Sequence, residues 1–273
     1  MEKAINNSLF SLEGKNIVLF GGNGLLGQQF SRVLLDFGAR IISCDISESQ
    51  NKLADDNIEY IKFDAGKESD LLRYRDYIVE KYNHVDVLIN SLTAKYKDFY
   101  LPFDEVSVEG WEVGLRGNLT IPFMTCKAFI PVMVKQNMGS IINISSVYGV
   151  VGNDQRIYEG SNLHEIYVKD SPDIKQIYSH GVYNASKAGL NNFGKYLAAY
   201  YGKNNIRVNT ISPGGVEYEK ENDVFLEKYS AKTPLGRKAK EHEMNGVLIL
   251  LASDASSYIT GQNILVDGGF TAW

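Results

Sequence analysis

The sequence predicts an α/β fold, a single doubly wound parallel β-sheet with helices on both faces, and three observations carry that expectation. Short apolar runs alternate with amphipathic stretches along nearly the whole chain. The apolar runs are continuous, as befits strands covered on both faces. The first turn between them, GGNGLLG (21–27), is rich in glycine.

Taken in order, KNIVLF (15–20) is the first strand, ending in glycines. LLGQQFSRVLLDFGA (25–39) repeats its apolar residues at helical spacing and stops at Gly38. RIISCDI (40–46) and NIEYIKFDA (57–65) are the second and third strands. ESDLLRYRDYIVEKY (68–82) is a helix, and HVDVLIN (84–90) the fourth strand. A long helical region covers about 105–136, before the strand GSIINISS (139–146). VYNASKAGLNNFGKYLAAYYGK (182–203) is a strongly amphipathic helix, followed by the β-branched strand IRVNTIS (206–212). EHEMNGVLILLASDAS (241–256) is helical, and QNILVDGG (262–269) closes as a strand. With no Pro/Gly/Ser linker, internal repeat or low-complexity tract, residues 1–273 read as one domain. The stretch 153–181 breaks the alternation: it is polar, charged and aromatic by turns, with no clear period. A structureless stretch of that length inside a compact domain is usually functional.

At 273 residues the chain is long enough for one large α/β domain, and 44% hydrophobic with 22% charged residues is ordinary for a globular protein. A net charge of −5 argues against nucleic-acid or membrane binding by electrostatics. No apolar run approaches the roughly 20 residues of a membrane-spanning helix, and the start lacks the apolar core of a signal peptide. Cys44 and Cys126 both sit in apolar segments, which suits buried thiols in a reducing cytoplasm.

In the first turn Gly22, Gly24 and Gly27 form G-x-G-x-x-G between a strand and a helix. That is the context in which glycines allow a tight turn, close approach to a pyrophosphate and close helix packing, so the fold is expected to be Rossmann-type. The helix start then offers free N–H groups to phosphates. Eighteen positions after Gly27, Asp45 ends the second strand. There it can accept from adenosine ribose hydroxyls and repel a 2′-phosphate, which favours NAD(H) over NADP(H), or it is simply a turn residue. Asp64 at the third strand's end can meet an adenine amino group and Asn90 a nucleotide; both can equally be strand-end polar groups.

The ordered set GGNGLLG, Asp45, LIN, GNLT, INISS, YNASK, RVNTISPGG and ITGQNILVDGG resembles the short-chain dehydrogenase/reductase family over nearly the whole chain. The resemblance implies a catalytic tetrad of Asn118, Ser146, Tyr183 and Lys187. It also implies cofactor contacts at Gly21, Asn23, Gly24, Leu25, Leu26 and Gly27. Further contacts are implied at Asp45, Asp64, Ala65, Asn90, Tyr183, Lys187, Pro213, Gly214 and Val216. Tyr183 and Lys187 stand at i and i+4, on one helix face. A phenol of pKa about 10 is a poor base at neutral pH, and a nearby ammonium is expected to lower it. Ser146 would orient the substrate oxygen, and Asn118 would position a water in a relay to Lys187.

Tyr158, twelve positions after Ser146, has the separation the family more usually shows. Four residues on it meets Asn162, however, and Tyr178 meets Val182; only Tyr183 has a lysine there. Thirty-seven positions therefore separate Ser146 from Tyr183, so the stretch 153–181 is an insertion whose ends flank the reacting centre. Its Asp154, Gln155, Arg156, Tyr158, Glu159, His164 and His180 suit a polyhydroxylated or phosphorylated substrate, or else a solvated loop or oligomer contact. Substrate contacts are expected from Ser146, Tyr148, Arg156, Tyr158 and Tyr183. No metal is expected, because His164 and His180 lack clustered partners.

The chain departs from the family pattern at Phe20, in SLT (91–93) after LIN, and in VEYEKEN after SPGG. The insertion and the ending ASSYITGQNILVDGGFTAW are similar to the flagellin-modification subgroup of bacterial short-chain dehydrogenases. That similarity implies a sugar, sugar-phosphate or nucleotide-sugar substrate in surface-glycan (legionaminic-type) biosynthesis. Two alternatives stand: a 3-oxoacyl carrier-protein reductase, which the closing motifs also resemble, and an NAD-binding scaffold without turnover. Family resemblance further implies a homodimer or homotetramer.

Overall fold

The computed structural model describes residues 7–94, 96–168, 173–218 and 220–273. Seven strands, β1 (Asn16–Phe20), β2 (Arg40–Asp45), β3 (Ile58–Lys62), β4 (Val87–Asn90), β5 (Gly139–Ile144), β6 (Ile206–Pro213) and β7 (Asn263–Val266), form one sheet in the order β3-β2-β1-β4-β5-β6-β7. All pairings are parallel, with Phe20 of β1 opposite Cys44 on one side and Asn90 on the other. The order reverses between β1 and β4. At such a reversal the crossovers leave on opposite faces and open a crevice at the strands' carboxyl ends.

Period-two alternation divides each strand between two cores. From β1, Val18 and Phe20 join a cluster with Leu71 and Ile78 of α2 (Glu68–Tyr82), Phe129 and Met133 of α4 (Ile121–Gln136), and Leu197 of α6 (Gly181–Tyr201). Ile17 and Leu19 face the other way, against Phe30 and Leu34 of α1 (Leu25–Asp36) and Leu248 and Leu251 of α8 (Asn245–Ala252). Continuous apolar strands are thus explained by helices on both sides.

The long helical region begins at Val108 and has three parts: α3 (Val108–Leu115), a π-turn over Arg116–Thr120, and α4. Ser107 caps it by accepting from Gly110 N, while Asp98 accepts from the Ser107 hydroxyl and amide. Contrary to the sequence expectation, Val108–Gln136 is long and apolar enough to cross a membrane by length and composition. Half of its most apolar window is buried in the protein, where Cys126, Phe129 and Met133 face the sheet.

The insertion carries α5 (Leu163–Tyr167) and packs with α7 (Asp223–Ser230) in a third cluster of Ile157, Tyr158, Leu163, Ile177, Phe225 and Tyr229. Its residues 169–172 lie outside the described residues. Neither short helix was visible as a period in the sequence.

A chain of hydrogen bonds links polar side chains between the sheet and α4. Thr125 Oγ1 donates to Asn90 Oδ1 at 2.7 Å, and Asn90 Nδ2 donates to Asn143 Oδ1 at 3.0 Å. A buried acceptor stripped of its donor costs about 1–3 kcal/mol. Thr125→Val, which keeps the shape and removes the donor, is therefore expected to lower stability by about that amount, read from urea denaturation followed by circular dichroism.

Candidate active site

A cleft of about 620 Å³ runs along the carboxyl edge of the sheet. The turn after β1 enters it through Gly21 and Gly24, and the start of α1 through Leu25 and Leu26. Gly21 has φ +81°, and an added Cβ would stand 2.1 Å from Ser91 O; a Cβ on Gly27 would stand 2.2 Å from Gly21 O. The turn closes this tightly only without side chains. Gly24 at the N-cap supplies no side-chain cap to α1, so the first-turn N–H groups stay available for an anion. Gly22 instead packs on Ser43 of β2, and Gly27 on the turn itself. Gly21 and Gly24 are the members that face the cleft.

Asp45, at the tip of β2, lines the cleft beside Ile46. It accepts from Asn23 N, Ser47 N and Ser47 Oγ at 2.8–3.0 Å. Asp64 and Ala65 line the cleft after β3; Pro213, Gly214 and Val216 do so after β6. No cation flanks Asp45 among these lining residues. Glycine turn, open helix start and strand-end carboxylate together fit a dinucleotide.

Besides Gly27, two expected cofactor residues lie off the cleft. Asn90 is buried, and its side chain is committed to Thr125, Asn143 and the Cys126 thiol, so it does not line the cleft. Its neighbours Ser91, Leu92 and Thr93 do. The Asn23 side chain donates to Ser47 O and holds the turn to β2.

Tyr183 and Lys187, one turn apart on α6, stand at the inner end of the cleft with Ser146. The Lys187 side chain points inward: the residue is 2% exposed, and Nζ donates to Ile144 O at 2.9 Å and Leu92 O at 3.2 Å. Nζ lies 5.6 Å from the centre of the Tyr183 ring. Burial lowers the lysine's pKa to about 8. Burial also raises the pKa of Tyr183, and a hydrogen bond from Ser146 only partly opposes it. Desolvation is the largest influence on the phenol.

The base of the insertion is tied shut. Ser145 Oγ donates to Lys187 O, Asn191 Nδ2 to Gly149 O, and Asn184 Nδ2 to Val151 O. These bonds hold α6 against the strand that carries Ser146. Asn118 sits in the π-turn, fully buried; Nδ2 donates to Gly114 O at 2.9 Å, and Oδ1 has no partner. π-turns within helices gather at functional sites.

A second cavity, of about 300 Å³, shares Thr93, Ser146, Tyr183, Gly214 and Val216 with the first. Tyr148 and Tyr158 line it. Tyr158 stacks on Phe225 and is hydrogen-bonded with Tyr148. Arg156 is absent from both linings; it is exposed and bidentate on Asp154. Asp154, Gln155, Glu159, His164 and His180, also expected over the substrate, line neither cavity. Gln155 bonds the Ser179 backbone, and His180 is buried edge-on against Phe99, which lowers its pKa to about 4. The walls are aromatic instead: Phe99, Tyr100, Tyr167, Tyr178, Phe225 and Tyr229. Sequence reasoning missed this ring of aromatics, although Phe225 and Tyr229 at i and i+4 were a readable signal. It also missed Glu221 and Lys238, which line the same cavity.

Fold and cleft define a dinucleotide-binding oxidoreductase. The chain belongs to the short-chain dehydrogenase/reductase family: residues 15–161 match the short chain dehydrogenase family, and 172–271 match the enoyl-(acyl carrier protein) reductase family. A 3-oxoacyl-[acyl-carrier-protein] reductase from Thermotoga maritima is 30% identical, across 94% of this chain and 98% of its own length. Post-translational flagellin modification protein A from Campylobacter coli is 28% identical, across 95% and 99%. A short chain dehydrogenase from Leptospira borgpetersenii, crystallised with bound NAD+, superposes with a TM-score of 0.86 at 29% identity, covering 99% of this chain and 98% of that one.

The buried ammonium of Lys187 has a stability consequence. With the folded pKa near 8 against a usual 10.5, the charge destabilises the fold fully below pH 8 and ceases to do so above 10.5. Lys187→Met removes that cost. The stability difference, variant minus wild type, is expected to fall by on the order of 3 kcal/mol between pH 7 and pH 10.5, measured by denaturant titration at each pH. A pH-independent difference would contradict the assignment of burial as the cause.

Proposed function

We propose that the protein is an NAD-dependent oxidoreductase interconverting a secondary alcohol and a ketone on a sugar-type ring. One observation carries the reading: Ser146 and Tyr183 stand together on the wall shared by a dinucleotide-shaped cleft and an aromatic cavity. A substrate oxygen placed there touches both hydroxyls at once.

Gly21, Gly24, Leu25 and Leu26 hold the pyrophosphate, with Asn23 and Gly27 shaping the turn. Asp45 takes the adenosine ribose hydroxyls, Asp64 and Ala65 border the adenine, and Pro213, Gly214 and Val216 border the nicotinamide. The bound nicotinamide supplies the hydride acceptor or donor. In oxidation, Tyr183 as phenolate takes the hydroxyl proton while the carbon's hydride departs and the C=O bond forms. In reduction, the phenol returns that proton to the carbonyl oxygen. Ser146 donates to the same oxygen. Lys187 has two of its three N–H donors on backbone carbonyls, which leaves one for a ribose hydroxyl. Asn118, with an unpartnered buried Oδ1, positions a water in the relay to Lys187.

Aromatic faces and tyrosine hydroxyls suit a ring carrying both C–H faces and hydroxyl groups. The similarity to a flagellin modification protein supports a place in surface-glycan biosynthesis. The 30% identity to a 3-oxoacyl-[acyl-carrier-protein] reductase favours a second reading, reduction of a carrier-bound ketone; the net charge of −5 weighs against docking of an acidic carrier. We place the enzyme in the cytoplasm, where the two buried thiols stay reduced. We assign it as a homodimer or homotetramer through α4 and α6, whose Phe123, Tyr196 and Tyr200 are exposed.

Tyr183→Phe is expected to reduce turnover by about 100- to 10,000-fold while NAD binding persists. Because burial keeps the phenol protonated at neutral pH, wild-type oxidation should rise from about pH 7 to 10, and the variant should lose that rise. A screen of NAD reduction over sugars, sugar phosphates and nucleotide sugars, beside an acyl carrier-protein substrate, reads both outcomes. Undiminished turnover by the variant would reject the assignment. Asp45→Ser is expected to shift the ratio of NAD to NADP affinity by about 10- to 100-fold toward NADP, measured by calorimetric titration of each dinucleotide.

A further inference from the structure

The aromatic cavity holds one charged pair that the mechanism leaves without a role. Lys238 Nζ lies 2.5 Å from each carboxylate oxygen of Glu221, and the two side chains are 4% and 3% exposed. They are the only charged side chains among the described residues that line this cavity. A buried ion pair is generally no more stabilising than apolar residues of the same volume. Holding the two loops together therefore does not explain why the pair stands on a cavity wall.

Its surroundings present it to the cavity. An added Cβ on Gly215 would stand 2.6 Å from the Tyr229 ring and 3.0 Å from Lys238 Cε, so the lysine stem rests on bare backbone next to Gly214 of the shared wall. Tyr229 accepts from Gly215 N and is fixed in place. Nζ sits 5.0 Å from the ring centre of Phe225 and 5.7 Å from that of Tyr229, at cation–π range. Glu221 Oε2 also accepts from Tyr218 N. With two of its N–H groups on Glu221, the ammonium keeps one donor, and the carboxylate keeps acceptor capacity.

We propose that Glu221 and Lys238 form a specificity pair that binds two neighbouring hydroxyls of an uncharged ring, the carboxylate accepting from one and the ammonium donating to the other. This deepens, and rests on, the reading of the chain as a ring-alcohol oxidoreductase. An anionic group brought to Lys238 meets Glu221 as closely, and a cationic group meets the reverse repulsion. A hydroxyl donates and accepts, so adjacent hydroxyls satisfy both partners without leaving either charge unpaired. Tyr158 and Tyr229 flank the space in which such a ring would lie.

The test compares 1,2,3-cyclohexanetriol, which has one hydroxyl to react and two neighbouring ones for the pair, with cyclohexanol, and D-glucose with D-glucose 6-phosphate, as alcohols for NAD reduction. It uses the wild type and the double variant Glu221→Gln/Lys238→Met, which removes both charges together and avoids a lone buried ion. Wild type is expected to prefer the triol over the mono-alcohol by about 10- to 100-fold in kcat/KM, and glucose over its phosphate. The double variant should bring the triol preference to within about threefold of unity while NAD affinity and the circular dichroism spectrum stay unchanged. An equal fall for both cyclic alcohols is the signature of a purely structural role and overturns the proposal. So does retained preference in the variant, or a wild-type preference for the phosphate. Absence of turnover by wild type on every ring alcohol, with turnover of an acyl carrier-protein substrate, overturns the functional reading itself and is told apart by being visible before any variant is made.

Discussion

Parallel pairing sends the carboxyl ends of all seven strands to one edge, and the reversal of order between β1 and β4 forces the connections there onto opposite faces. The cleft follows from this constraint. Six of the seven strand ends deliver one short segment each to it: glycines after β1, Asp45 at the end of β2, Asp64 after β3, Ser91–Thr93 after β4, Ser146 after β5 and Gly214 after β6. No loop has to travel far, so the residues are held by a sheet whose own side chains are packed on both faces. Position is set by the strands, and chemistry by what stands one or two residues beyond them.

Two lysines are buried beside the reacting centre, and the protein treats them differently. Among the described residues Lys187 has backbone carbonyls as its hydrogen-bond partners, and burial lowers the pKa of its ammonium. Lys238 is neutralised in contact with Glu221 and supported by aromatic faces. The first arrangement leaves a positive charge poorly satisfied next to the phenol to which we assign the proton transfer. The second leaves no net charge where a substrate would be recognised. Strain of this kind at one site and its absence at the other are what a division between proton transfer and recognition requires.

Much of the framework was legible in the sequence because it rests on patterns with a physical period. Apolar runs located all seven strands, and helical spacing located α1, α2, α6 and α8 to within a few residues. Tyr183 was separable from Tyr158 because only one has a lysine four residues on, and the structure puts that lysine inside. The rest depends on tertiary placement. Asn90 reads like a ligand-facing strand end, yet Thr125 and Asn143, distant in sequence, claim its side chain. The charges of the insertion looked like a lining but turn outward, because Asp154 pairs with Arg156 and Lys232 at the surface. The π-turn around Asn118 interrupts a helix whose sequence shows no break. Glu221 and Lys238, seventeen positions apart in two loops, have no shared pattern at all.

The three hydrogen bonds that tie residues 145–151 to α6 have an evolutionary corollary. They fasten the reacting pair below the point where the long excursion leaves the body of the protein, so the excursion can be lengthened, shortened or exchanged while Ser146 and Tyr183 keep their spacing. On the roles we propose, the excursion supplies one wall of the recognition cavity, and the tie beneath it insulates Ser146 and Tyr183 from changes in that wall.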